Sequence, residues 1–407
     1  MKNIAVMGFG TVGSGVVEII EGTSFKEKVG QDISVKAILD VREFPDSPYS
    51  SLITNDFNKI IEDDDIDIVV ETIGGINPAY EFTVRSLKAG KSVVTSNKEL
   101  VAAKGAQIMQ IARENNASYL FEASVGGGIP IIRPLNNCLA ANEIYEIMGI
   151  LNGTTNYILT QMIKNGQSFE SALSDAQKKG YAERDPSADI EGFDTCRKIA
   201  ILSALSYGKQ IDSDKIPTQG ITKVALKDIE YADKAGYVIK LIGKSKKVNG
   251  KVYAKVCPLM LSKNHPLSGV EDVFNAILVK ASATGEVMFY GKGAGKMPTA
   301  SAVVADCLDI IKHNGFGAPH WQEGGELTCC NPDKVKYYIR LNITDNHRAE
   351  KCVIAVFDKV SWIDTDSRDA AFITFAAKED EIQECIDKLG SLIGKENIVS
   401  KIQVEID

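Results

Sequence analysis

No stretch of this 407-residue chain is rich in lysine and arginine, and none is a long apolar run. Its hydrophobic segments fall short of the roughly 20 residues that a bilayer-spanning helix needs. The formal net charge is −8 with no basic stripe, so neither nucleic acid nor an anionic membrane is an expected partner. Histidine is scarce: His265, His313, His320 and His347 stand apart, which gives zinc binding and Ser-His-Asp chemistry no support. The eight cysteines contain no C-x-x-C pair, and only Cys329 and Cys330 are neighbours. Scattered cysteines of this kind read as reduced thiols packed as small apolar groups in a cytoplasmic protein. The opening "MKNIAVMGFG" runs straight into a strand-like segment, which leaves no room for a signal peptide. Repeats and low-complexity tracts are also missing.

What remains is a globular composition, 44% hydrophobic and 25% charged, on a chain long enough for two or three domains. Residues 2–8, 33–39, 66–73, 91–96 and 117–124 read as strands, with helical spacing between them. Asn77 is placed as an N-cap with Pro78 at the first helical position, and a helix is expected from about Lys98 to Asn115. Strands alternating with helices predict a doubly wound parallel sheet of the Rossmann type over 1–130. After about 130 the strand candidates 143–151, 251–261 and 276–290 lie far apart among helical stretches. That predicts an α+β substrate-binding and dimerisation domain over 131–313 with a mostly antiparallel sheet, whose helix 298–313 returns to the first domain. Gly, Pro, Trp and Cys crowd 314–334, which reads as a linker. Residues 335–407 read as a small α+β domain.

The first strand ends in "GFGTVG", placing Gly8, Gly10 and Gly13 in G-x-G-x-x-G spacing. Gly8 permits a tight turn, Gly10 lets the backbone approach a pyrophosphate, and Gly13 allows close packing of the helix on the strand. Because the motif follows a strand and opens a helix, a dinucleotide is the expected cofactor, against a merely structural turn. Asp40, closing the second strand, can bind a ribose 2′-hydroxyl and favours NAD. Arg42, two residues on, can instead meet the 2′-phosphate of NADP. The lean is to NAD.

The stretch "AQKKGYAERDPSADIEGFDTCRKIA", residues 176–200, packs acids beside a lysine. On a helix beginning near Gly192, Asp194 and Lys198 fall one turn apart. A lysine held by a carboxylate can donate or accept a proton beside a reacting carbonyl. Glu183 and Asp189, from the preceding loop, can accept hydrogen bonds from a substrate ammonium. An exposed helix start with an ordinary i,i+4 pair would look the same from spacing alone.

The skeleton Ala176, Gly180, Tyr181, Asp185-Pro186, Asp189, Gly192, Asp194 and Lys198 resembles the signature of homoserine dehydrogenases. "GFGTVG", "ETIGGINPAY", "GKSVVTSNKEL", "FEASVGGGIPIIRPL", "GILNGTTNYIL" and "YGKGAGKMPTASAVVAD" are similar to that family's blocks, in order, over about residues 3–312. The resemblance implies NAD(P)-dependent interconversion of L-aspartate 4-semialdehyde and L-homoserine in threonine and methionine biosynthesis. It implies that Lys198 moves the proton that accompanies hydride, that Asp194 orients Lys198 and touches substrate, and that Glu183 binds the substrate amino group. Lys98 is implied as a second cation near nicotinamide and substrate, suited to a developing alkoxide. Phe9, Thr11, Val12, Thr72, Gly180 and Gly293 or Gly295 are implied at the cofactor.

In "EASVGGGI", the carbonyls of Val125, Gly127 and Ile129 with the Glu122 carboxylate can ring a small monovalent cation, since hard cations prefer oxygen. The resemblance implies a structural sodium there; a Gly-rich turn before Pro130 is the plain alternative. Residues 335–407 resemble an ACT domain, yet "DNHRAEK" stands where such modules carry an Asp-x-Pro-Gly-like turn at the effector site. Threonine sensing and a degenerate dimerisation module both remain open. A homodimer or tetramer is expected. A sugar-type oxidoreductase would carry "EKP" where this chain has "NKE", and a non-catalytic sensor would have lost Lys98, Glu183, Asp194 or Lys198.

Overall fold

The described residues of the computed structural model are 1–313, 319–328, 331, 333–342, 346–366 and 369–406. Six strands, β1 (Lys2–Met7), β2 (Ile33–Leu39), β3 (Ile53–Thr54), β4 (Ile66–Glu71), β5 (Ser92–Thr95) and β6 (Tyr119–Leu120), form one sheet. Their order is β3-β2-β1-β4-β5-β6, and every neighbouring pair is parallel. Parallel strands are covered on both faces and therefore read as unbroken apolar runs. Ile4, Ala5, Val6 and Met7 are indeed all fully buried, as are Val69 and Val70. The chain reverses direction of build-up between β1 and β4, the place where doubly wound sheets open a ligand crevice at the strands' carboxyl ends.

The helix Thr11–Gly22 packs its Val16, Val17 and Ile20 face against Ala300, Val303, Val304 and Cys307 of the helix Lys296–His313. Gly15 lets them close: a Cβ there would sit 3.0 Å from that of Ala300. The expected Asn77 cap is displaced by one residue. Pro78 occupies the N-cap and the helix runs Ala79–Lys88. The expected strand 117–124 is only two residues long, because a 3-10 turn at Glu122–Ser124 follows it.

Internal contacts divide the chain into two units. Met1–Ile147, Arg197–Lys215 and Val279–Glu326 make the first, and Met148–Cys196, Ile216–Leu278 and Leu327–Asp407 the second. Several residues of the expected linker at 314–334, including Cys329 and Cys330, lie outside the described residues. Its residues 319–326 belong to the first unit, and its described residues from Leu327 onward belong to the second. Trp321 is almost fully buried against Phe121 and over Gly105, where a Cβ would lie 2.6 Å from the indole.

The remaining strands are β7 (Ile144–Ile150), β8 (Tyr237–Val248), β9 (Lys251–Ser262), β10 (Phe274–Ala281), β11 (Gly285–Lys292), β12 (Lys336–Asn342), β13 (Val360–Asp366), β14 (Asp369–Thr374) and β15 (Ile398–Val404). They order as β11-β10-β7-β8-β9-β15-β12-β14-β13. The single strand expected over 276–290 is two strands, and β8 was not expected. β8 and β9 form an antiparallel hairpin closed by Asn249 and Gly250, both with positive φ (49° and 79°). Such a turn matches the right-handed twist of its strands.

Within the second unit, β12, the helix Asn346–Phe357, β13, β14, the helix Glu379–Ile393 and β15 follow a β-α-β-β-α-β order. Asp345, in the expected departure "DNHRAEK", is outside the described residues. Tyr337, Ile339, Val353, Phe372, Ile382 and Leu389 make the core of this module. β15 also pairs in parallel with β9, through Gln403 to Leu259 and Val404 to Met260, so the sheet is mixed, while the pairs β8–β9, β12–β14, β12–β15 and β13–β14 are antiparallel as expected. A polar bolt reinforces the pairing. The fully buried Asp228 accepts from Tyr338 Oη at 3.0 Å, Arg340 Nε at 2.8 Å and the Ala225 amide at 3.0 Å.

Removing one member of a buried, hydrogen-bonded ion pair strands the other. Asp228→Ala is therefore expected to lower the unfolding free energy by about 3–5 kcal/mol, measured by urea denaturation. Lys240 supplies a pH test. Its buried Nζ donates to the Val270 carbonyl at 2.5 Å and to Asn156 Oδ1 at 3.2 Å. Burial pulls its pKa down to about 8 from 10.5. Between those values the unfolded chain holds the proton that the native state has released, so stability rises with pH across that window. Melting temperatures from pH 7.5 to 10.5 should show that rise, and Lys240→Met should flatten it.

Candidate active site

The glycine turn sits between β1 and the helix Thr11–Gly22. Gly8 has φ of +93°, and a Cβ on it would lie 2.9 Å from the Thr72 carbonyl oxygen. Gly13 is tighter: its Cβ would fall 1.8 Å from the Gly8 carbonyl oxygen. Gly10 is the helix N-cap and carries no side-chain cap, so the first-turn amides remain available to an anion. Thr72, just beyond β4, donates its hydroxyl to the carbonyls of Met7 and Gly8 at 2.9 and 3.0 Å, which joins the two strand ends. Phe9 is buried edge-on to Phe44, Thr11 is exposed, and Val12 is partly buried on the core.

Asp40 is already engaged. Its carboxylate accepts from the Phe9 amide at 2.7 Å, from the Arg42 amide at 2.9 Å, and from Arg42 Nε and Nη2 at 3.0 and 2.8 Å. The guanidinium holds the carboxyl well below the usual carboxylate range. Beside it a cavity of 400 Å³ is lined by Arg42, Phe44, Asn55 and Lys59 among others. Lys59 carries no motif in the sequence that would mark it.

Lys98 is half-buried at the first position of the helix Lys98–Glu114. Asn97 caps that helix through Leu100 and donates to the Gly75 carbonyl at 2.6 Å. Glu71 fixes both segments: it accepts from the amides of Ile73 and Gly74 and from Thr95 Oγ1. Burial pushes the Glu71 carboxyl up, against those hydrogen bonds. Glu99 pairs with Arg197 at 3.1 Å, joining the residue after Lys98 to the residue before Lys198. Both candidate lysines thus belong to one unit. Lys198 is buried, and the helix Phe193–Tyr207 carries it one turn after the equally buried Asp194.

The "EASVGGGI" segment packs on "GKGAG". A Cβ on Gly127 (φ +57°) would lie 2.3 Å from the Gly293 carbonyl oxygen, and Gly128 donates to the Lys292 carbonyl. Gly295 also has positive φ, +122°. The Glu122 carboxylate is engaged by main chain. It accepts from the amides of Ile131, Ile132 and Arg133 at 2.6, 2.8 and 2.8 Å. Its own amide donates to Asp306, which also pairs with Arg133 at 2.6 Å. Burial, then the neighbouring Glu122, raises the Asp306 carboxyl to about 7.

In the second unit the acids separate by environment. Glu183 is exposed, and Gly180 (φ +73°) follows the helix Phe169–Lys178 with open space where a Cβ would go. Asp189 and Asp194 converge on Asn152, whose Nδ2 donates to Asp189 Oδ1 at 2.7 Å and Asp194 Oδ2 at 2.9 Å. Asn152 escaped the site reading of the sequence, although an asparagine before a helix is a recognisable cap. Thr154, the second residue of the helix Gly153–Asn165 that Asn152 caps, donates to the Tyr181 carbonyl at 2.7 Å.

These geometries predict that Gly13→Ala, by driving a methyl into the Gly8 carbonyl, weakens NAD(P)H binding at least about tenfold. Fluorescence titration of the reduced nicotinamide measures it.

Family models agree with this arrangement. "Homoserine dehydrogenase, NAD binding domain" matches residues 8–122, and "Homoserine dehydrogenase" matches 130–308. The homoserine dehydrogenase of Bacillus subtilis is 35% identical over 99% of this chain and 98% of its own. That of a Synechocystis strain is 43% identical over 76% of this chain and 73% of its own. The crystal structure of a homoserine dehydrogenase from Thiobacillus denitrificans superposes with a TM-score of 0.90 at 32% identity, covering 99% of this chain and 98% of that one. A hyperthermophilic archaeal homoserine dehydrogenase solved with NADPH gives 0.66 at 32% identity, covering 76% and 97%. A glycine turn built for a dinucleotide, a buried lysine one turn from a buried carboxylate, and near full-length likeness to these proteins place the chain in the homoserine dehydrogenase family.

Proposed function

We propose that Lys198 is the proton-transfer group in the interconversion of L-aspartate 4-semialdehyde and L-homoserine, the NAD(P)-dependent reaction of this family. The observation that carries this reading is the burial of Lys198 one turn from Asp194. A desolvated ammonium beside a carboxylate is a directed proton donor to an aldehyde oxygen, and its neutral form is the base for a hydroxyl in reverse. Bound NAD(P) supplies or accepts the hydride. Lys98, at a helix start where its charge is poorly placed for the helix itself, offsets negative charge developing on the oxygen. Asp194 orients Lys198, and with Asp189 and Glu183 it receives the substrate amino group. Gly180, Gly293 and Gly295 give the cofactor close backbone approach.

Gly8, Gly10 and Gly13 fit a pyrophosphate, with Phe9, Thr11, Val12 and Thr72 around them. Asp40 has all its close acceptor directions filled by Phe9 and Arg42, while Arg42 and Lys59 offer two cations at the adjoining cavity. This favours NADP as much as NAD, against the lean from sequence. For a monovalent cation the residues fit in part. The Glu122 carboxylate is taken by three amides, which leaves the carbonyls of Val125, Gly127 and Ile129 as its oxygen donors. The β-α-β-β-α-β order supports an ACT-like reading of 335–407. Met288 and Tyr290, exposed on one face of β11, support a homodimer or tetramer. Among the described residues no helix is long and apolar enough to cross a membrane, and a cytoplasmic site fits that.

Protein mixed with L-homoserine and NAD or NADP should develop absorbance at the reduced nicotinamide band. Lys198→Ala should lose turnover by about 10²–10⁴-fold while still binding cofactor. Turnover that survives the change removes Lys198 from this role. Inhibition by added threonine, or its absence, reports on the C-terminal module.

A further inference from the structure

Asn152 caps the helix Gly153–Asn165 in the ordinary way: its side-chain carbonyl accepts from the Thr155 amide at 2.8 Å and from the Thr155 hydroxyl at 3.1 Å. Serine, threonine or aspartate can fill that role about as well. Asparagine alone adds an amide nitrogen pointing the other way, and its two hydrogens are used on Asp189 Oδ1 and Asp194 Oδ2. The cap fixes which way the amide faces. Turned over, it would set its oxygen against two carboxylates and its NH₂ against the Thr155 amide.

We propose that Asn152 is a positioning residue that yokes Asp189 and Asp194 into one paired acceptor for the primary ammonium of the amino-acid substrate. This rests on the reading above, in which those two acids face substrate. Two carboxylates drawn to a single nitrogen repel each other, and that repulsion is relieved by a bound cation. A lysine or arginine at the same place would hold them too, but would add a second cation to that of Lys198, one turn from Asp194, and compete with the ammonium. A neutral amide holds both and adds no cation. The same helix end also ties down the neighbouring loop, through Thr154 and the Tyr181 carbonyl. Its own position is fixed from behind, where Asn156 Nδ2 donates to the carbonyls of Val270, Asp272 and Phe274.

Asn152→Ser and Asn152→Asp keep the cap acceptor and remove both donors, so the fold should survive, as thermal melting will verify. In either variant kcat/KM for L-homoserine should fall about 10- to 100-fold, with the cofactor KM held within about twofold. The acid limb of kcat/KM should move to higher pH, because carboxylates that lose donors to their charged form bind protons more readily. The move should be larger for Asn152→Asp, which adds a third carboxylate. In an Asp189→Asn background, Asn152→Ser should cost less than it does alone, since the two act as one unit. A parent protein that does not reduce cofactor with homoserine would overturn the functional reading and this proposal with it. An active parent whose Asn152→Ser variant keeps the full kcat/KM and the same acid limb would overturn this proposal alone.

Discussion

Buried carboxylates that accept main-chain amides hold the loops at the carboxyl edge of the parallel sheet. Asp40, after β2, takes the amides of Phe9 and Arg42. Glu71, ending β4, takes those of Ile73 and Gly74, and Glu122, after β6, takes three in a row from Ile131 to Arg133. An ionised carboxylate withdrawn from water costs several kcal/mol unless its oxygens are matched, so each acid dictates one arrangement of the chain around it. The loops that would meet a dinucleotide are therefore shaped before it arrives. Preorganisation of this sort lowers the entropy lost on binding and keeps reacting groups in register.

The parts of this design that obey local rules were legible in the sequence. The G-x-G-x-x-G spacing located the turn, and the requirement at Gly13 proves more severe than spacing implies, with backbone only 1.8 Å from an added Cβ. The parallel sheet followed from apolar runs alternating with helical periods. β8 escaped because four lysines interrupt "YVIKLIGKSKKV", and one of them, Lys240, is buried against carbonyls rather than turned to solvent. Its Asn-Gly turn was the available clue. Helical spacing set Asp194 and Lys198 one turn apart, but their burial, which separates them from an ordinary surface pair, was not legible in it. The amide-binding roles of Glu71 and Glu122 could not be read either, because a solitary glutamate looks the same whether it meets water or main chain. The bond from the Glu122 amide to Asp306 spans 184 positions, beyond any window of periodicity.

The C-terminal module reads as a separate small fold by composition, and it does possess its own core. Yet β15 completes an edge of β9, and Asp228, Lys255 and Lys244 each reach into the module, to Arg340, Glu379 and Glu405. Lys244 and Glu405 are both largely buried, which makes that pair costly to separate. A ligand taken up by the module would act on a continuous sheet rather than across a hinge.

The pairing of β15 with β9 has a consequence for biogenesis. β9 leaves the ribosome long before residues 398–404 exist, so during translation its main-chain edge stands uncovered. Until its last strand is delivered, the nascent chain presents an adhesive border to chaperones and to other unfinished copies. Truncation shortly before β15 would make that transient hazard permanent.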